Sequence, residues 1–105
     1  MTHARFELDA LIHSPVRFSI MGYLRSVDEC EFNILRDAVD VSDSSLSQNL
    51  TRLAEAGFVT IEKRQSGRRV KTWIASTDDG DQALESNLLI LRDIAGAAHD
   101  KHSNS

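Results

Sequence analysis

The chain has 105 residues, 41% hydrophobic and 27% charged, enough for one globular domain with a modest core and too few for a second. No apolar run approaches the roughly 20 residues of a membrane span, and the first residues lack a signal-peptide hydrophobic region, so a cytoplasmic protein without membrane contact is expected. The formal net charge of -4 hides an uneven distribution: residues 43–76 carry six basic and three acidic side chains, and all other residues together are strongly acidic.

Phe6, Leu8, Leu11 and Ile12 predict a short leading helix with an apolar edge. Ser14 as N-cap and Pro15 at the first helical position open the next helix. Its core-facing stripe is Val16, Ile20, Tyr23, Leu24 and Val27, with Arg17 and Arg25 off the stripe. After the acidic break Asp28-Glu29-Cys30-Glu31, a short helix spans 32–39, entered through an extended residue or two, with Leu35, Ala38 and Val39 facing the core. Cys30 is alone, so neither an internal disulfide nor a thiolate metal site is expected, and it reads as a small, partly buried hydrophobe.

Asp40-Val41-Ser42 is a three-residue connection in which Asp40 takes the left-handed conformation and Val41 plugs the turn. The stretch 42–57 is then a helix capped by Ser42, with Asp43 at the favourable end of the macrodipole and Gly57 past the C-terminus. Leu46, Leu50 and Leu53 dock it on the core; Ser44, Ser45, Gln48, Thr51, Arg52 and Glu55 lie opposite. Short polar side chains with Gln and Arg, in place of the usual Lys and Glu, can bond base edges and phosphates at close approach, which suits a DNA major groove.

Residues 58–76 alternate as two β-rich runs joined at Gln65-Ser66-Gly67-Arg68, giving a protruding hairpin with Lys63, Arg64, Arg68, Arg69 and Lys71. Val70, Thr72 and Ile74 share one face of its second strand, and Arg69, Lys71 and Trp73 the other. A last helix spans 77–99, capped by Thr77, with Asp78, Asp79 and Asp81 in its first turn and Gly80 as a weak point. Leu84, Leu88, Leu91, Ala95 and Ala98 recur at spacings of 4, 3, 4 and 3, a seam that calls for a partner helix, while 100–105 are expected to be a disordered tail.

The order helix, helix, recognition-type helix, basic hairpin, helix is a winged helix-turn-helix: mainly α with a β-hairpin wing. Residues 35–59 resemble the DNA-binding core of MarR-type regulators, with ArsR-type repressors similar, and Pro15-Val16-Arg17 resembles the start of the first helix in those families. The resemblance covers roughly 12–80. It implies a homodimeric transcription regulator of double-stranded DNA, with Ser44, Ser45, Gln48 and Arg52 on bases and Arg68 and Arg69 on backbone or minor groove. Thr51, Lys63, Arg64 and Lys71 complete the expected DNA-facing set. The chain is shorter than a typical MarR-type protein, which moves dimerisation to the C-terminal helix, at Leu84, Leu88, Leu91 and Ala95, with Phe6 and Leu8 beside it. The wing has Gln65-Ser66 where an acidic residue often precedes the arginine. A small-molecule effector of unspecified chemistry fits such a regulator, and no cofactor is expected.

Enzymatic chemistry is not expected, because the sequence has no Gly-rich phosphate cradle, nucleophile elbow or metal-ligand cluster. His99 and His102 fall short of the three or four rigid ligands of a metal site, which weakens the alternative of a metal-responsive ArsR-like repressor. A winged helix for protein or RNA contact is the other alternative; the basic wing and the Ser/Gln/Arg helix face favour DNA.

Overall fold

A computed structural model describes residues 10–103, with side chains described as far as Ala95. Four helices and a three-stranded antiparallel sheet follow one another among these residues: α1 (Pro15–Arg25), β1 (Cys30–Glu31), α2 (Phe32–Val39), α3 (Asp43–Glu55), β2 (Val59–Ser66), β3 (Arg69–Ser76) and α4 (Asp78–Ser103). No described helix is long and apolar enough to cross a membrane. Most of the expected leading helix lies outside the described residues, but its end is tied down: Ile12 is fully buried and Leu11 packs on the core.

Pro15 opens α1 with Ser14 as N-cap, yet the Ser14 side chain makes no capping hydrogen bond; its carbonyl accepts from Phe18 N instead. Ile20, Met21 and Leu24 are the buried residues of α1, with Val16, Tyr23 and Val27 packed at the margin. The acidic break contains the third strand. Cys30 pairs with Ile74 and Glu31 with Trp73, giving the sheet order β1-β3-β2. In α2 the burial differs from expectation, because Ala38 is exposed and Phe32 packs on the core beside Leu35 and Val39.

Asp40 adopts the left-handed conformation (φ 55°, ψ 58°), and its N–H and that of Val41 both bond to Arg36 O. The C-terminus of α3 is a Schellman turn: Phe58 N bonds to Leu53 O at 2.9 Å, Gly57 N bonds to Ala54 O at 3.0 Å, and Gly57 has φ 79°. Leu53 and Phe58 are both buried, supplying the hydrophobic contact that accompanies this motif. The hairpin that follows is longer and tighter than the sequence implied. Ser66 pairs with Arg69, so the tip is only Gly67-Arg68, with φ 63° at Gly67.

Thr77 joins the wing to α4 through three bonds. Its N–H reaches Phe58 O, its hydroxyl donates to Gly57 O at 2.6 Å, and the same oxygen accepts from Gly80 N at 3.0 Å. Gly80 is not a weak point but a close-packing one: a Cβ there would lie 2.7 Å from Met21 Cε and nearer still to Phe58 O. The helix then continues to Ser103, so residues 100–103 belong to it and only the last two of the expected tail lie outside the described residues. No proline interrupts the helical pattern after Thr77.

Candidate nucleic-acid interface

Leu46, Leu50 and Leu53, essentially without solvent exposure, fix the rotation of α3. Ser42 Oγ accepts from Ser45 N at 3.1 Å, so the cap read from the sequence is made. That rotation leaves Ser44, Ser47, Gln48, Thr51 and Arg52 exposed along one side. Ser45 is partly buried, and its backbone carbonyl accepts from Asn49 Nδ2 at 2.8 Å. Thr51 Oγ1 donates back to Ser47 O at 3.0 Å.

Two residues that the sequence reading left out complete this surface. Arg17 reaches from α1, donating through Nε to Leu11 O at 2.6 Å and through Nη1 to Asn49 Oδ1 at 2.9 Å. Arg17, Ser47, Gln48, Asn49, Thr51 and Arg52 line an open groove of about 570 Å³. Burial, and then the charge of Arg52, hold the Arg17 guanidinium below the usual arginine range. The sequence signal was an arginine off the apolar stripe of α1 together with an asparagine inside a helix, where Asn is a weak helix former.

The wing residues do not form one surface. Arg64, Arg69, Lys71 and Trp73 share a face by strand alternation, Lys63 lies on the other face, and Arg68 occupies the tip. Arg64 is engaged internally: its two terminal nitrogens meet Glu29 Oε1 and Oε2 at 2.8 Å each, one also meets Glu62 at 2.9 Å, and the guanidinium stacks 5.3 Å from the Trp73 ring centroid. Lys71 approaches Glu31 at 3.9 Å. Lys63, Arg68 and Arg69 make no ion pair among the described residues. Glu29 before β1 and Glu62 within β2 brace Arg64, and no acid braces Arg68, the arginine after Gln65-Ser66, among the described residues; Gln65 closes the tip by donating to Gly67 O at 2.9 Å.

The last helix, α4, divides at Asn87. Ala83, Leu84 and Asn87 are buried in the domain, so Leu84 belongs to the core and not to an outward seam. Leu88, Leu89, Ile90, Leu91 and Ile94 are between 43% and 62% exposed, and Ala95 is exposed. An apolar groove of about 290 Å³ runs between them and α1, lined by His13, Pro15, Phe18, Asn87, Ile90, Leu91 and Ile94. His99 and His102 fall where no side chain is described. Cys30 is buried, and desolvation pushes its thiol up.

Helix, turn, polar-faced helix and a hairpin wing backed by a short third strand define a winged helix-turn-helix, a class built to present one helix to nucleic acid. The chain belongs to the winged helix DNA-binding domain family, whose model matches residues 16–95, and it binds DNA as that family does. It is 36% identical over 76 residues to the uncharacterized protein MJ0432 of Methanocaldococcus jannaschii, covering 72% of this chain and 83% of that one. Solved structures that share its fold include two transcription regulators. A transcriptional regulator homologue from Pyrococcus horikoshii OT3 has a TM-score of 0.80 at 22% identity, covering 85% of this chain and 88% of that one. A regulator of the MarR family from Enterococcus faecalis V583 has a TM-score of 0.77 at 18% identity, covering all of this chain and 94% of that one.

Proposed function

We propose that the chain is a homodimeric transcription regulator of the cytoplasm that reads double-stranded DNA, placing α3 in the major groove and the wing tip on the backbone or minor groove. The observation that carries this reading is the α3 face of Ser44, Ser47, Gln48, Thr51 and Arg52, exposed beside a groove whose lining includes no acid. Gln48 and Arg52 can make bidentate contacts to adenine or guanine; Arg68, Arg69 and Lys63 act on phosphates, and Arg64 and Lys71 hold the wing's shape. Ser45 supports the helix from its inner edge.

A single recognition helix spans only a few base pairs, so selectivity comes from two half-sites about one helical turn apart. The exposed Leu88, Leu91 and Ala95 of α4, with Ile90 and Ile94, form the apolar surface that a second copy covers. A small-molecule effector belongs to the proposal only as a modulator, with no pocket assigned to it.

Titrating the protein with labelled duplexes at two salt concentrations tests the reading. Affinity is expected to fall steeply as salt rises, since each neutralised phosphate releases condensed counterions. Binding absent at low salt, or indifferent to salt, overturns it.

A further inference from the structure

We infer that Arg17, on α1 and outside the recognition helix, is a DNA-backbone contact that holds one phosphate beside the base edges that Gln48 and Arg52 read from α3. The inference deepens the DNA-binding reading and rests on it.

Arg17 and Arg52 line the same open groove from two different helices, with Ser47, Gln48, Asn49 and Thr51 between them and no carboxylate among the lining residues. The other arginines with partners among the described residues each reach at least one acid: Arg25 approaches Glu85, Arg36 bonds Asp37 and Asp43 as well as Asn33 Oδ1, and Arg64 bonds Glu29 and Glu62. Arg17 instead spends Nε and Nη1 on two neutral acceptors, Leu11 O at 2.6 Å and Asn49 Oδ1 at 2.9 Å. Those bonds fix the direction of the guanidinium without neutralising it, and they leave Nη2 uncommitted. Two like charges held at one groove repel each other, so the arrangement costs free energy in the unbound protein. An anion held by Arg17 relieves the cost, and phosphate matches the planar donor fork of arginine. The bond to Asn49 also couples the contact to reading: Asn49 is on α3, one position after Gln48, so a phosphate held by Arg17 sets the register at which Gln48 and Arg52 meet base edges.

Two measurements test the Arg17 contact. In the wild-type protein, arginine modification by phenylglyoxal, read by mass spectrometry with and without duplex, is expected to show Arg17 and Arg52 protected by DNA and Arg25 unchanged. Arg17→Met, with circular dichroism to confirm folding, is expected to weaken all duplexes alike and to lower the slope of log affinity against log salt by about 0.9, one phosphate's share. Asn49→Ala removes the brace but keeps the charge, so its salt slope is expected to match wild type. Arg17 left reactive while duplex protects Arg52, or an Arg17→Met protein with the wild-type salt slope, overturns the Arg17 contact and leaves the DNA-binding reading intact. Duplex that fails to bind wild type at low salt overturns both.

Discussion

Arg64 and Glu29, 35 residues apart, meet in a two-pronged ion pair with both contacts at 2.8 Å, which ties β2, the first strand of the hairpin, to the loop before β1. The pair explains how a wing can stay upright although its outer half has almost no core: Val70 is 60% exposed, and only Val59 and Ile74 of β2 and β3 are buried. Glu62 and the Trp73 ring complete the seat of the guanidinium. The hydrogen bonds from Arg64 hold the Glu29 carboxyl below the usual glutamate range, against an opposing push from desolvation. A depressed carboxyl pKa means that this contribution to wing order is present above the unfolded glutamate value, about 4.3, and is lost as pH falls through the lower folded value. The protection factors of the β2 and β3 amides, taken relative to intrinsic exchange at each pH, are therefore expected to fall on acidification below about pH 4. Glu29→Gln is expected to show the lower protection already at neutral pH, with little change in the melting of the helical core.

Gly80 to alanine is expected to destabilise the whole domain, although alanine is the better helix former. The added methyl would meet Phe58 O and Met21 Cε, and Phe58 O also accepts the N–H of Thr77, so the carbonyl cannot retreat without breaking the joint between α3, the wing and α4. Overpacking of this kind costs about 1 to 3 kcal/mol. Urea unfolding measures it, and a variant as stable as wild type means that Met21 and Phe58 yield to the added methyl without cost.

Replacing Ser42 by alanine removes the acceptor for Ser45 N and is expected to cost about 1 kcal/mol in thermal or urea melts. The loss should stay small because the start of α3 has a second tether. Arg36 Nη1 reaches Asp43 Oδ1 at 2.7 Å across the turn, while Arg36 Nε holds Asp37 at 3.0 Å. Combining Ser42→Ala with Asp43→Asn is expected to lose more stability than the two single variants added together.

Reading and positioning separate in the DNA-binding variants. Gln48→Ala with Arg52→Ala is expected to flatten sequence preference, removing about 1 to 3 kcal/mol of discrimination for each bidentate contact. Arg68→Ala with Arg69→Ala is expected to weaken all duplexes and reduce the salt slope. Selection from a random duplex pool, compared with wild type, reads both effects. A helix pair that alters neither affinity nor preference places the base contacts elsewhere.

How much of this was legible in the sequence depends on the range of the interaction concerned. The cap at Ser42, the left-handed Asp40, the Gly57 terminus and the Leu46, Leu50, Leu53 stripe rest on local rules, and each stands in the structure. Features that depend on meetings across the chain could not be read in the same way. Nothing local to Glu29 says that it will seat Arg64, and Gly80 looks like a helix defect until Phe58 and Met21 are placed against it. Arg17 was visible only as an off-stripe residue; the bond to Asn49 brings it to α3. Leu84 shows the limit of periodicity, because a seam at spacings of 4 and 3 looks the same whether its partner is the chain's own core or another helix.

That ambiguity yields the last prediction, a contrast between neighbouring leucines of one helix. Leu84 is buried against the domain and Leu88, one turn on, is 43% exposed. Leu84→Ala is expected to cost about 2 to 5 kcal/mol of unfolding free energy, because it opens a cavity in the core. Leu88→Glu should leave the fold intact, since the side chain already reaches water in a single copy. If two copies meet along Leu88, Leu91 and Ala95, the same substitution sets like charges against each other at the twofold and shifts the protein to monomers. Sedimentation with circular dichroism distinguishes the cases: a wild type that sediments as a dimer and a folded, monomeric Leu88→Glu place the interface on α4. A Leu88→Glu protein that remains dimeric moves the interface off this helix. The monomer is also expected to lose affinity for paired half-sites far more than for a single one, because joining two recognition helices turns the second binding event into an intramolecular one.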